Sequence, residues 1–110
     1  MDNQSPFLAI KSLETQLSGI LSAIDVYDLP AQEAKIISTL KREMVDARLD
    51  TRDYELSETR DEQLKNGKVA KKRLAHIRKN ILAASEYNVF SPVDVAQLSA
   101  QIEQIIENIR

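Results

Sequence analysis

The chain reads as all-α: a small antiparallel bundle of about four helices, in which the second and third form a long, charged, coiled-coil-like hairpin. Three observations predict this class. Only two glycines and three prolines occur in 110 residues, so the chain has few places to turn. Ala, Leu, Ile, Glu, Gln, Lys and Arg dominate, and all are helix formers or are tolerated in helices. Val, Thr and the aromatics are too scattered for a sheet. The aliphatic residues recur at alternating spacings of three and four, which places them on one side of a helix. By length the chain is one domain, with room for a modest core.

The first helix is predicted over residues 6–27. Ser5 can cap it, and Pro6 has the fixed φ that suits a first helical position. Ile10, Leu13, Leu17, Ile20, Ile24 and Tyr27 form its heptad seam, widened by Phe7 and Leu21, while Gly19, in mid-helix, reads as a tolerated glycine or the close approach of a packed helix. Asp28-Leu29-Pro30 ends this helix and starts the next, with Asp28 as the expected cap. The second helix is expected over 30–66. It has a broad apolar face of Ile36, Ile37, Leu40, Met44, Val45 and Ala47, which thins after Leu49 to Tyr54, Leu56 and Leu64.

Continuity through Asp50-Thr51 is the preferred reading, because no glycine or proline lies between Pro30 and Gly67. A helix of that length reaches about 50 Å and should project beyond the bundle, with a compact four-helix bundle as the alternative. Asn66-Gly67 is the expected reversal, glycine taking the left-handed conformation that ends helices. The third helix, 68–87, carries Ala70, Leu74, Ile77, Ile81 and Ala84 on one stripe. Tyr87-Asn88-Val89-Phe90 is then a loop folded onto the bundle's end. Ser91-Pro92 opens the fourth helix, 92–109, seamed by Val95, Leu98, Ile102, Ile105 and Ile109. Stripes this rich for the chain's length also suit a homodimer.

Charge is bland in sum and uneven in place. The net charge is −2, yet Lys68, Lys71, Lys72, Arg73, Arg78 and Lys79 put six cations and no acid into one stretch of twelve residues. The second helix is rich in acids from Glu43 to Glu62, so the two runs are expected to answer one another across the hairpin. The absence of cysteine removes disulfides, thiolate metal sites and thiol nucleophiles. No signal-peptide pattern opens the chain and no apolar run approaches a membrane span, so a cytoplasmic protein without a membrane partner is expected.

The acids from Asp50 to Glu62 fall at helical spacing without the central glycine of a calcium loop. Arg42, Arg48 and Arg52 scatter around their helix instead of converging on a small-molecule substrate. No catalytic residue, cofactor or metal is expected. The function predicted is that of a non-catalytic interaction or scaffold protein, binding a protein partner or itself through heptad-type apolar faces. The alternative is a nucleic-acid contact through Lys68, Lys71, Lys72, Arg73, Arg78 and Lys79, which can neutralise phosphates without a base-reading motif.

His76 is the chain's one histidine and stands in the run Ala75-His76-Ile77-Arg78-Lys79. That run resembles the phosphohistidine motif of histidine phosphotransfer domains, which are helical bundles of similar length with a surface histidine on a helix. The resemblance covers five residues and implies phosphotransfer through His76, with Lys79 three residues on to steady the phosphoryl group. Arg78 stands at a usually apolar position and Asn80 at the position of a glycine.

Overall fold

The structure, a computed structural model, describes residues 5–87 and 89–110. It contains four α-helices: α1 (Pro6–Ser22), α2 (Ala31–Glu55), α3 (Arg60–Ser85) and α4 (Pro92–Asn108), with a 3-10 turn at Val26–Asp28 between the first two. Each helix packs on two neighbours in a closed ring, α1 on α2, α2 on α3, α3 on α4 and α4 on α1. All neighbours are antiparallel: Glu14 of α1 meets Arg48, Asp50 of α2 meets Arg73, and Arg78 of α3 meets Glu103.

The stripes expected from the sequence meet on the axis of this ring. Ile10, Leu13, Leu17, Leu40, Met44, Leu74, Ile77, Ile81, Leu98 and Ile102 are all buried there. Burying each such side chain contributes about 1.5–3 kcal/mol, which is why the heptad positions turn inward and are spent on the fold.

Three boundaries differ from the expected ones, each for a local reason. α1 stops at Ser22, not at residue 27. Asp25 accepts a hydrogen bond from the Tyr27 N–H at 3.0 Å and closes a separate 3-10 turn, leaving Tyr27 97% exposed and outside the seam. Asp28 belongs to that turn and does not cap α2, which begins after Pro30 without a side-chain cap.

The hairpin reverses at residues 56–59 and not at Asn66-Gly67, although α2 is unbroken through Asp50-Thr51 as expected. The start signal is Thr59, whose Oγ1 accepts from the Glu62 N–H at 3.1 Å while the Glu62 carboxylate accepts from the Glu58 N–H at 3.2 Å. Gly67 lies buried within α3. A Cβ there would stand 3.1 Å from Ile109 Cγ2 and 3.2 Å from Tyr54 Cε1, so its role is close approach of α2 and α4. Asn66 does serve the reversal, from inside α3: its amide donates to the Asp53 carbonyl at 3.3 Å and to Ser57 Oγ at 2.9 Å.

The hairpin therefore does not project. The Glu55 carboxylate at the end of α2 accepts from Ser5 Oγ and from the Phe7 N–H, both at 3.0 Å, which seats the start of α1 beside the turn. On the other side, Tyr54 OH accepts from the Arg110 N–H at 2.9 Å and donates to the Arg110 carbonyl at 3.2 Å. At the opposite end Phe90 is buried, as expected for its loop, while Tyr87 stays partly exposed.

Candidate docking face on the third helix

Helical geometry sends the polar residues of α3 in three directions, and each direction has a different chemistry. Arg73, His76 and Asn80, at spacings of three and four, look toward α2. Arg73 Nε donates to Asp50 Oδ2 at 3.1 Å, and its guanidinium lies 3.9 Å from Asp46 Oδ2. One turn on, Glu43 of α2 is 3% exposed, and its carboxylate accepts from both His76 Nδ1 and Asn80 Nδ2. A carboxylate taken out of water without partners is costly, and these two donors satisfy it.

That network assigns the histidine's proton. A carboxylate can only accept, so Nδ1 carries the hydrogen and Nε2 is the nitrogen turned away from Glu43. The His76 side chain is 59% exposed, so this outward edge meets solvent.

In the second direction, toward α4, Arg78 donates to Glu103 at 3.0 Å. The third direction is outward. Lys65, Lys68, Lys72 and Lys79 share that face, are exposed, and form no ion pair among the described residues; neither does half-buried Lys71. On α3 itself lies a shallow open depression of about 610 Å³, lined by Val69, Lys72, Arg73, Ala75, His76 and Lys79.

The six cations expected to act together are therefore divided. Arg73 and Arg78 are held by acids of neighbouring helices, while Lys68, Lys72 and Lys79 face solvent together with Lys65, which the sequence reading left out. The expected cancellation of charge across the hairpin holds, among the described residues, for Arg73 alone of the six cations, because only residues on the α2 side of α3 come within reach of the acids.

His76 and Lys79 do lie on one surface. The two positions that depart from the phosphohistidine pattern point elsewhere, Arg78 toward α4 and Asn80 toward Glu43. Glu43 was missed by sequence reasoning. Its signal is an acid at the edge of an apolar stripe, between Leu40 and Ala47, where a carboxylate is drawn inside and needs a donor from the facing helix.

Among the described residues no three His, Asp or Glu side chains converge as a metal-binding group, and no helix is long and apolar enough to cross a membrane. Comparison with protein-family models, with curated proteins and with solved structures finds no match.

Proposed function

We propose that this chain is a non-catalytic interaction module of the cytoplasm that docks an anionic partner on the outer face of α3. The observation that carries this reading is the row of exposed lysines, Lys65, Lys68, Lys72 and Lys79, which form no ion pair among the described residues while Arg73 and Arg78 of the same helix are tied to acids. The row spans about 21 Å at 1.5 Å per residue. Four like charges in a line are no help to the fold and raise the local potential that steers an oppositely charged partner. The heptad faces first expected to bind a partner are filled by the bundle itself, which moves the expected contact to this charged face.

The test is titration at low salt with two polyanions, poly-L-glutamate and a generic DNA duplex. Replacing Lys68, Lys72 and Lys79 by glutamine is expected to weaken binding about tenfold or more and to flatten its salt dependence. Failure of both polyanions to bind the unaltered protein would remove the proposal.

A second reading is favoured by one separate observation, the buried Glu43 that holds His76 Nδ1. On that reading Nε2 accepts a phosphoryl group from the acyl phosphate of a receiver domain. The N–P bond forms as the P–O bond to the receiver's aspartate breaks, and the aspartate leaves as its carboxylate. Glu43 keeps the Nδ1 proton and balances the charge developing on the ring, as a carboxylate does behind other catalytic histidines. Acid-labile phosphate on His76 after incubation with a phosphorylated receiver domain is expected, reduced in Glu43→Gln; an unlabelled wild-type protein ends this reading.

A further inference from the structure

Resting on the α3 docking face proposed above, we infer that this face is proton-gated: docking of an anionic partner draws a proton onto His76 Nε2, so that binding strengthens as pH falls. The lysine row has one gap. Lys65, Lys68 and Lys72 follow one another at three and four residues, and then seven residues pass before Lys79. His76 stands in that gap, four residues after Lys72 and three before Lys79, which makes it the neighbour of both on the helix surface. Its side chain is 59% exposed and lines the same depression as those two lysines. A neutral ring leaves the row broken; a protonated ring makes it continuous.

The ring can take this proton without moving. Glu43 accepts from Nδ1 in the neutral ring and goes on accepting when Nε2 gains its hydrogen, because both nitrogens of an imidazolium are donors. The charges that act on the ring oppose one another. From α2, Glu43 favours the imidazolium; Asp46 and Asp50 of the same helix lie against Arg73, and exposed Arg42 stands beside Glu43 in the chain. On α3 itself, Lys72 and Lys79 disfavour it from one turn away on either side, as does Arg73, three residues before it. α4 packs against another side of α3, where Glu103 holds Arg78.

An anion laid along the row answers the repulsion from Lys72 and Lys79 and attracts the further cation. Nε2–H then donates to it, where a neutral ring offers only a lone pair facing negative oxygens. Linkage is reciprocal, so the proton tightens the anion by the same factor as the anion tightens the proton.

The experiment uses the whole chain and a short, fluorescently labelled dextran sulfate. Its sulfate esters keep their charge from about pH 5.5 to about pH 7.5, the interval in which imidazoles ordinarily titrate. At equal ionic strength, anisotropy is expected to show binding about fivefold or more tighter at the lower pH. His76→Gln can still donate to Glu43 but takes up no proton, so it should bind at the weaker level at both values. His76→Arg, charged throughout, should bind at the tighter level at both. Circular dichroism checks that each variant keeps its helicity. Ring-proton resonances of the chain's one histidine, followed at about pH 6.5, should show the protonated fraction rising as dextran sulfate is added.

Wild-type binding that ignores pH, an equal pH dependence in His76→Gln, or a protonated fraction that does not move with the anion overturns the gating and leaves the docking face standing. Absence of binding at both pH values removes both.

Discussion

A methyl group added at each glycine has opposite surroundings in this chain. At Gly19, an exposed position inside α1, nothing lies within 4 Å of the added Cβ, so alanine gains helix propensity at no steric cost. Gly19→Ala is expected to raise stability by about 1 kcal/mol. At Gly67 the same methyl meets a tyrosine ring that two hydrogen bonds to Arg110 hold in place. Gly67→Ala is expected to lower stability by about 1 kcal/mol despite the better propensity, because overpacking costs more than the propensity returns. Urea unfolding of both variants checks the pair, and a gain at Gly67 would show that the ring gives way.

Glu43 offers a second test at this scale. Truncation in Glu43→Ala leaves a gap at the core's edge and removes the acceptor of two donors, for an expected loss of about 2 kcal/mol. Glu43→Leu fills the same space with apolar surface, and both donors can turn to water, so it should recover most of that loss. Nitrogen shifts of the His76 ring should report hydrogen on Nδ1 in the wild type and a mixture of tautomers in Glu43→Leu. Retention of the Nδ1–H form in the leucine variant would show that something other than Glu43 sets the tautomer.

At the scale of the element, the turn between α2 and α3 rests on short-range hydrogen bonds. Thr59 caps α3 and Asn66 satisfies the exposed carbonyl of Asp53 near the end of α2. Thr59→Ala and Asn66→Ala should each cost about 1 kcal/mol, read as a lowered midpoint in thermal unfolding. Both signals stood in the sequence. Thr59-Arg60-Asp61-Glu62 has the spacing of a helix start, in which a hydroxyl residue is followed three places later by glutamate. Asn66-Gly67 outweighs it on local rules, since that pair is a strong helix stop when nothing is known of the neighbours. What reverses the ranking is Tyr54 of α2 and Ile109, the residue that ends α4, pressing on Gly67, a contact that no local pattern contains. The ends at Ser5-Pro6 and Ser91-Pro92 were legible because serine and proline act within one turn: Ser5 Oγ accepts from Leu8 N–H at 3.2 Å and Ser91 Oγ from Asp94 N–H at 3.1 Å.

Over the whole molecule, the ring of four helices is elongated but closed, with a Cα radius of gyration of 14.4 Å and extents of 47 × 28 × 18 Å. A globular chain of this length has about 13 Å. Small-angle scattering of the monomer is therefore expected to give a radius close to that of a compact bundle. A substantially larger value would restore the projecting hairpin.

The sides of the ring are latched by polar pairs: Arg48 with Glu14 at 3.0 Å, Arg78 with Glu103 at 3.0 Å, and Gln101 with Gln16 at 2.8 Å. Exposed pairs of this kind add only about 0–1 kcal/mol each, so they help to set register while the apolar axis supplies the stability. For Arg78→Ala the expectation is a stability change within about 1 kcal/mol and unaltered binding of polyanions, because this cation faces α4 and not the docking surface. A loss of binding comparable to that of the lysine variants would show that the division of charges on α3 is wrong.

By itself the sequence determined the helical class, the stripes that became the core and the caps at Ser5 and Ser91, because periodicity and capping act over a few residues and survive in any packing of these helices. Only the tertiary structure decided where the hairpin turns, that Ser5, Phe7 and Arg110 are seated beside it, and which cations of α3 pair with acids. Those outcomes depend on the residue opposite. Glu43 becomes a buried partner of His76 and Asn80, Asp50 captures Arg73, and Lys65, Lys68, Lys72 and Lys79 form no ion pair among the described residues, since one helix has three sides and only packing assigns a neighbour to each.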